Sequence, residues 1–367
     1  MPTDQQYIRV DQFMASLGDK EATYNAGPAL WTAPAALQLF EFGEDFVVNW
    51  ADLIAGDRET VHGSQYATLD EIIRQDAGGS YPEPRVRPAS LAGWAALAGG
   101  AVVSVQDAAL AAWRHKLTPV GVSTSTPSIG IQVKRGLEQL RFTGVKADGF
   151  TLRRGGPQRA YFELAVPLIG SGTRVTAADA FPAKLTAEDL LRWGDARAFR
   201  QYGGALTIAA TPVQGAANIS GGTVDALATR LMDFSFEWRN DHQAEMGYFP
   251  GGARVRSDLF HGPNRNGVLT FTLRKDSAAT AGERANYTAR DNMAFELNVD
   301  SGTIIAATGS FKYGCILIVP RFRLAPLEEG LDNGIETITF RSTELFDDGT
   351  NPVWLMYVYT VQSQYLV

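Results

Sequence analysis

The feature that most constrains the fold is a series of short segments in which apolar and polar residues alternate. Such segments begin at Ile129, Phe150, Tyr161, Phe234, Leu269, Phe295 and Ile338. Alternation with period two turns one face of an extended chain toward a core and the other toward solvent, so each segment predicts a half-buried β-strand. Turn residues separate the segments, and few helical patterns intervene. The sequence therefore predicts a mainly β fold, an antiparallel β-sandwich or barrel.

Two further segments predict strands of a different kind. Cys315–Val319 is a continuous apolar run that ends at Pro320, which is typical of a strand buried on both faces. Val353–Val361, close to the end of the chain, is also rich in apolar and aromatic residues. We expect both segments to lie in the interior of the fold.

Short helices are predicted to flank the strands. The alanine-rich segment 88–98 is expected to begin at Ser90, a residue type that caps helices, and segment 184–193 has a similar start signal. A further short helix is predicted around Leu69–Arg74. The glycine- and proline-rich stretch 78–84 predicts a loop or arm.

The length of 367 residues favours more than one domain. Local composition and the spacing of apolar residues divide the chain into three regions. These are an N-terminal arm and helical/β segment over 1–119 and two strand-rich domains over 120–221 and 222–367. Leu140–Leu152 and Leu231–Leu273 both contain an alternating strand, a polar turn and a second strand that ends in basic residues. This similarity indicates either an internal duplication or a coincidence between two β segments.

Composition and charge limit the possible functions. The net charge of -7 argues against a dedicated nucleic-acid binder, which needs a basic surface to neutralise phosphates. Cys315 is the only cysteine, so an intrachain disulfide is impossible. The N-terminal residues lack the pattern of a secretion signal, and no apolar stretch reaches the length expected of a membrane span. We therefore expect a soluble protein made in the cytoplasm.

The sequence predicts no catalytic, cofactor or metal site. The sequence has no phosphate-binding loop, no G-x-S-x-G elbow and no H-E-x-x-H motif. The four histidines are far apart in the sequence: His62, His115, His242 and His261. His242 is the strongest candidate base, because Asp241 and Glu245 lie close to it in sequence, but the segment lies where a polar loop should follow the strand at Phe234, which is the better explanation. We expect the protein not to be an enzyme.

Charge is distributed unevenly along the chain. A basic block between residues 134 and 159 includes Lys134, Arg135, Arg153, Arg154 and Arg159. An acidic block between residues 325 and 350 includes Glu328, Glu329, Asp332, Asp347 and Asp348. Opposite blocks can guide copies of one chain into a head-to-tail contact, which generates rings or filaments. The alternative is that both blocks belong to solvated loops.

Several segments resemble the tail tube protein, or major tail protein, of long-tailed, siphovirus-like bacteriophages. The resemblance lies in the strand Leu231–Trp238 and the polar loop after it, in 314–323 (GCILIVPRFR) and in 336–348 (ETITFRSTELFDD). It extends to the N-terminal part through 21–27 (EATYNAG), the alanine-rich segment near Trp94 and Trp113–Pro119. The resemblance thus covers most of the chain as a pattern of strands and loops.

The resemblance implies a virion protein that is assembled in the host bacterial cytoplasm. Members of the family are β-sandwiches with a flanking helix, and their subunits combine strands into an inner β-barrel. Rings stack into a tube that surrounds a tape measure protein and later carries DNA during ejection without binding it specifically. Tail terminator and distal tail proteins would be further partners, with no membrane involved. Two fused tube domains favour a trimeric, pseudo-hexameric ring over a true hexamer.

Polar positions on the long predicted hairpins are candidates for the lumen or inner barrel of such a ring. These candidates are Thr143, Thr151, Glu163, Glu237 and Thr272. The alternative function is a β-sandwich binding module or another tail component, such as a terminator, decoration or receptor-binding protein. A binding module would need an exposed aromatic cluster or a carbohydrate site and need not polymerise.

Overall fold

The structure is a computed structural model that describes residues 3–9, 12–27, 38–39, 46–56, 70–107, 111–121, 123–135, 138–154, 160–176, 190–192, 197–202, 207–220, 223–227, 230–243, 247–248, 255–256, 258–275, 287–288, 292–305, 311–347 and 350–366. Over these ranges the chain is mainly β, with one α-helix and antiparallel strand pairing. The prediction of a mainly β, antiparallel fold is confirmed.

The helix is α1 (Pro88–Gly99). In chain order the described strands are β1 (Thr3–Arg9), β2 (Gln12–Ala15), β3 (Gln38–Leu39), β4 (Val47–Gly56), β5 (Asp70–Glu83), β6 (Gly100–Gln106), β7 (Trp113–Pro119), β8 (Ile129–Arg135), β9 (Glu138–Ala147), β10 (Gly149–Arg154), β11 (Glu163–Gly170), β12 (Arg174–Thr176), β13 (Arg197–Tyr202), β14 (Thr207–Ile208), β15 (Ile219–Ser220), β16 (Thr223–Ala226), β17 (Leu231–Arg239), β18 (His242–Gln243), β19 (Phe260–His261), β20 (Asn266–Arg274), β21 (Met293–Ile304), β22 (Lys312–Leu324), β23 (Glu328–Asp332), β24 (Ile335–Leu345) and β25 (Leu355–Thr360).

Strand pairing arranges 21 of these strands in one long sheet and two covering sheets, and the pairs β14–β15 and β18–β19 form two small sheets of their own. The long sheet has the described strand order β1-β4-β5-β11-β10-β17-β20-β24-β23. The first covering sheet is β3-β2-β8-β9-β12, and the second is β16-β13-β21-β22-β25-β7-β6. The ends of β9 and β22 reach the long sheet, where they pair with β11 and β24.

Aromatic residues fill the space between the long sheet and each covering sheet. Under the first covering sheet, the rings of Phe13 and Tyr81 stack with centroids 5.3 Å apart. Under the second, Phe295 stacks on Phe234 at 5.7 Å and on Phe271 at 5.2 Å. Alternate residues of the facing strands supply these rings, so the period-two pattern creates one continuous sandwich core.

Helix α1 is buried along its whole length within this core. Its alanines and glycines allow close approach, since a Cβ atom on Gly93 would lie 2.6 Å from Cδ1 of Leu17. The helix begins after Arg87 with a proline at its first position and ends at Gly100, whose φ of 91° suits glycine. The predicted start at Ser90 is therefore late. With 12 residues among those described, α1 is too short to span a membrane.

The pattern of strand pairing occurs twice along the chain. The first set is β2, β3, β4, β5, β8, β9, β10, β11 and β12, and the second is β13, β16, β17, β20, β21, β22, β23, β24 and β25. Each ladder within the first set has a counterpart in the second, in the same chain order. We call residues 12–176 the first repeat and 197–360 the second repeat. The ladder between β10 and β17 joins them in the long sheet.

The repeat differs from the division expected from sequence. Its boundaries do not coincide with 119 and 221, because β2 to β5 and α1 belong to the first repeat. The sequence similarity between Leu140–Leu152 and Leu231–Leu273 compares β9 and β10 with β17 and β20, which are not equivalent strands. Additional strands lie outside the two sets: β1, β6, β7, β14, β15, β18 and β19.

Two local predictions in the N-terminal part are wrong. A helix was predicted around Leu69–Arg74 and a loop over 78–84, but residues 70–83 form β5. Ladders with β4 on one side and β11 on the other hold this glycine-rich segment extended. The ladder between β4 and β5 ends at Ser80. Pro82 lies beyond this end, where β4 requires no backbone N–H donor from β5.

The helix predicted over 184–193 lies largely outside the described residues. At its end, Arg192 forms an isolated β-bridge with Tyr161 and is not helical. The segment Cys315–Val319 is buried on both faces as predicted. Cys315, Leu317 and Val319 face the sandwich core, whereas Ile316 and Ile318 pack in a second cluster with Tyr357 and Tyr359.

Candidate functional site

The long sheet has a polar face opposite the core. In β17 the side chains of Phe234, Phe236 and Trp238 are buried, which turns the intervening residues to the other side. Strand register extends this surface over neighbouring strands, and we call it the polar face. Its described side chains include Ser80, Thr151, Arg153, Glu163, Asp233, Ser235, Glu237, Arg239, Thr270, Thr272, Arg274, Thr337, Thr339 and Arg341.

Four of the five predicted lumen candidates lie on the polar face. Thr151 pairs with Glu237 on the adjacent strand, and Glu163 pairs with Arg153. Thr272 donates or accepts a hydrogen bond across the sheet, with its Oγ1 3.0 Å from Oγ1 of Thr339. Their position in a lumen stays a prediction, but the register brings them together on one surface.

Thr143 lies elsewhere. It belongs to β9 in the first covering sheet, and its hydroxyl donates a hydrogen bond of 2.5 Å to Oδ1 of Asn25. The Ser171 hydroxyl also donates to this oxygen, at 2.7 Å. Thr143 thus helps to hold a turn near the start of the chain against the outside of the covering sheet.

Two of the four described arginines on the polar face, Arg153 and Arg239, are paired with carboxylates. Nε of Arg153 lies 2.9 Å from Oε2 of Glu163, and Arg239 forms an ion pair with Glu237. Both arginines are well exposed, so these pairs contribute little to stability. They do neutralise positive charge on the surface, which weakens attraction for a polyanion.

The two outer strands of the long sheet are β1 and β23. Among the described strands, β23 forms a ladder with β24 alone. The connecting turn at Asn333 and Gly334 has positive φ angles of 49° and 82°, as in the tight turns of hairpins. Leu331 and Ile335 flank the turn and are 71% and 42% exposed. Apolar exposure at a strand edge is a feature of contact surfaces.

The residues of the basic block are spread over both layers. Lys134 is half-buried on β8, where Arg135 also lies, and Arg153 is on the polar face. Arg154 points to the core side, where its guanidinium donates to the Met232 carbonyl. Arg159 lies outside the described residues. The side chains of Lys134, Arg153 and Arg154, which the structure describes, therefore do not share one surface.

The acidic block is more concentrated. Glu328, Glu329 and Asp332 lie on β23, and Asp347 follows β24 at the surface. Asp348 lies outside the described residues. Nζ of Lys275 is 3.2 Å from a carboxylate oxygen of Glu329 and 3.2 Å from one of Glu336, so part of the acidic charge is balanced locally.

His242, the histidine singled out in the sequence, belongs to a buried polar cluster. Its Nδ1 lies 3.0 Å from Oδ1 of Asp148, its Nε2 lies 3.2 Å from Oγ1 of Thr126, and its ring stacks on His261 at 4.7 Å. Burial lowers the pKa of His242. The sequence indicated Asp241 and Glu245 as partners instead; Glu245 lies outside the described residues.

Sequence reasoning missed Asp148 and Thr126, because they are 94 and 116 residues away along the chain. Thr126 is buried, so its hydroxyl is not presented to solvent as a nucleophile. The Asp148 carboxylate, the His242 imidazole and the Thr126 hydroxyl instead connect three segments of the chain. Beside them, Nζ of the buried Lys146 donates to Oγ of Ser125 at 2.7 Å. Burial lowers the pKa of Lys146. Over the described part of the chain, no group of three or more His, Cys, Asp or Glu residues is arranged to hold a metal ion.

The fold and this surface define a class: a duplicated antiparallel β-sandwich that shares one long sheet with a polar outer face. Comparison with protein-family models and with curated proteins finds no match for the sequence.

Proposed function

We propose that the protein is a structural subunit that forms rings, and that the rings stack into the tail tube of a long-tailed bacteriophage. The observation that carries this proposal is the duplication of four strands within one sheet. The order β4-β5-β11-β10 in the first repeat recurs as β17-β20-β24-β23 in the second. The long sheet of a single molecule therefore already contains two equivalent four-stranded units side by side.

The junction between the repeats suggests how copies associate. β10 pairs with β17 through six residues on each strand, from Gly149 opposite Arg239 to Arg154 opposite Phe234. The same edge-to-edge contact between copies would be heterologous, and heterologous contacts close into rings when the rotation permits. Closure would also remove the exposed sheet edges. With two repeats in each chain, three copies would supply six units, which favours a trimeric, pseudo-hexameric ring over a hexamer.

The polar face supports a role as the lining of a conduit. It carries serines, threonines and charged side chains, and Glu163 and Glu237 neutralise two of its four described arginines. A lining of this kind would let DNA slide because few phosphates would be held. Before DNA enters, the same lumen would surround a tape measure protein. Terminator and distal tail proteins would contact the ends of the tube, and the location would be the virion.

Negative-stain microscopy of the purified protein over a range of concentrations tests the proposal, together with light scattering after size exclusion. We expect rings or tubes with three copies per ring at high concentration. A protein that stays monomeric at all concentrations would contradict ring formation. Single rings that never stack would favour a terminator, and isolated monomers that bind a carbohydrate would favour a binding module.

A further inference from the structure

Strand β1 lies outside both repeats and covers the outer edge of β4. β1 pairs with β4 through seven residues, from Thr3 opposite Leu53 to Arg9 opposite Val47. In the second repeat the strand equivalent to β4 is β17, and the same edge of β17 pairs with β10. β1 therefore occupies on the first repeat the place that β10 takes on the second.

The equivalence also identifies a second occupant for this edge. β10 of the first repeat corresponds to β23 of the second, because each forms a hairpin with the strand that follows it. Within one chain, β23 stands at the opposite end of the long sheet from β4. We propose that the outer edge of β4 is the docking site for β23 of a second copy, and that β1 covers this edge until β23 replaces it.

This inference rests on the proposed ring. It adds that β1 controls when the ring can close. The direction of the strands agrees, since β1 runs antiparallel to β4 as β10 runs antiparallel to β17. Exchange of β1 for β23 breaks one set of backbone hydrogen bonds and forms another, as in other cases of strand addition. Side chains therefore decide which occupant is preferred.

Burial of an apolar side chain favours β23 over β1 once a second copy is near. On β23, Leu331 is 71% exposed in the single chain and would become buried in the contact. At low concentration β1 has the advantage, because it belongs to the same chain and its effective concentration is high. The covered edge would keep free chains from associating at random.

A reversible disulfide tests this exchange in the full-length chain. Gln5 lies opposite Ala51 in the ladder, so the variant Gln5→Cys with Ala51→Cys can lock β1 onto β4. The natural Cys315 is buried and will not compete for oxidation. The oxidised variant should need at least about tenfold more protein for ring formation than its reduced form, because the fraction of molecules with a free edge sets the apparent affinity. Gln5→Cys alone is the matched control and should assemble equally in both redox states.

Two results would overturn the inference in distinguishable ways. If the oxidised and reduced forms assemble equally, β1 is not exchanged, although ring formation itself stands. If neither form nor the natural protein assembles, the proposed ring fails and the exchange fails with it. A crosslink that leaves circular dichroism unchanged while it blocks assembly, with recovery on reduction, supports both.

Discussion

Gly149 lies so close to Trp238 that a Cβ atom on the glycine would be 1.9 Å from the carbonyl oxygen of the tryptophan. The φ of Gly149 is +135°, a conformation that side chains strongly disfavour. Gly149 is the first residue of β10, and Trp238 stands near the end of β17. The contact between the two repeats therefore depends on the absence of a side chain at this position.

Gly149→Ala should lower the free energy of unfolding by about 3 kcal/mol or more, since both backbone strain and a steric clash oppose the methyl group. Urea denaturation followed by tryptophan fluorescence measures the loss. Gly121→Ala is the control, because no atom lies within 4 Å of a Cβ atom built on Gly121. Equal stability of the two variants would show that the β10–β17 junction is not packed as described.

Glu83 should make the free energy of unfolding depend on pH. The carboxylate is buried beside the start of α1, where it accepts hydrogen bonds from the Ser90 hydroxyl and the Arg87 N–H. Burial raises the pKa of Glu83 to about 7, and these hydrogen bonds only partly oppose the rise. The folded state therefore binds a proton that the unfolded state has already released between the two pKa values.

The contribution of Glu83 to stability should be fully present below about pH 4.5 and lost as pH rises through about 7. The loss amounts to roughly 3 kcal/mol between these limits. Glu83→Gln should abolish it, so the difference in unfolding free energy between the natural protein and this variant should change with pH. The buried histidines titrate in both proteins and cancel in the difference. Exposed Glu344→Gln serves as control, and a difference independent of pH would contradict a buried ionisable carboxyl group.

Strands β17 and β20 of the second repeat could be predicted from sequence because their core residues alternate strictly. In β17 and β20 each second side chain is buried, so the local pattern already contains the fold. β5 could not be predicted, since its glycines and Pro82 are held extended by ladders with β4 and with β11, and β11 lies far away in the sequence. Tertiary pairing overrides local preference in such a segment.

The duplication was also hidden at the sequence level. β10 reads GFTLRR and β23 reads EEGLD, so two strands with equivalent pairing share no residue pattern. Strand equivalence depends on backbone ladders, which different sequences can form equally well. By contrast, four lumen candidates were found on one face because the alternation that buries their neighbours also sets their direction. The partners of His242 needed contacts across about 100 residues, which no local pattern contains.

The paired arginines of the polar face predict a charge-sensitive interaction with DNA. Glu163→Gln removes the partner of Arg153, and Glu237→Gln removes that of Arg239. The double variant should retain DNA at low salt at least about tenfold more strongly than the natural protein, because unpaired arginines release counterions from phosphate. Filter binding at several salt concentrations measures the change. Addition of Arg153→Gln and Arg239→Gln should reverse it, and unchanged DNA retention in the double variant would contradict the role given to these pairs.

The tip of the β23–β24 hairpin should be important for assembly and unimportant for folding. Leu331→Asp adds a charge where a contact between copies would bury an apolar side chain that is 71% exposed in the single chain. We expect the variant to fold with unchanged stability and to lose ring formation at concentrations where the natural protein assembles. Val213→Asp is the matched control, because Val213 is 57% exposed and its backbone forms hydrogen bonds with Asn218 and Asn298, which are not part of the β23–β24 hairpin. Normal assembly of Leu331→Asp would exclude this hairpin from the contact.

The central claim is that the polar face of the long sheet lines the lumen of a ring. A helical reconstruction by electron cryo-microscopy of the assembled protein tests this claim most directly. The account predicts three copies per ring, a continuous sheet formed through β4 and β23 of neighbouring copies, and the side chains of Thr151, Glu163, Glu237 and Thr272 facing the channel. A tube in which these four side chains face the outer wall would contradict it.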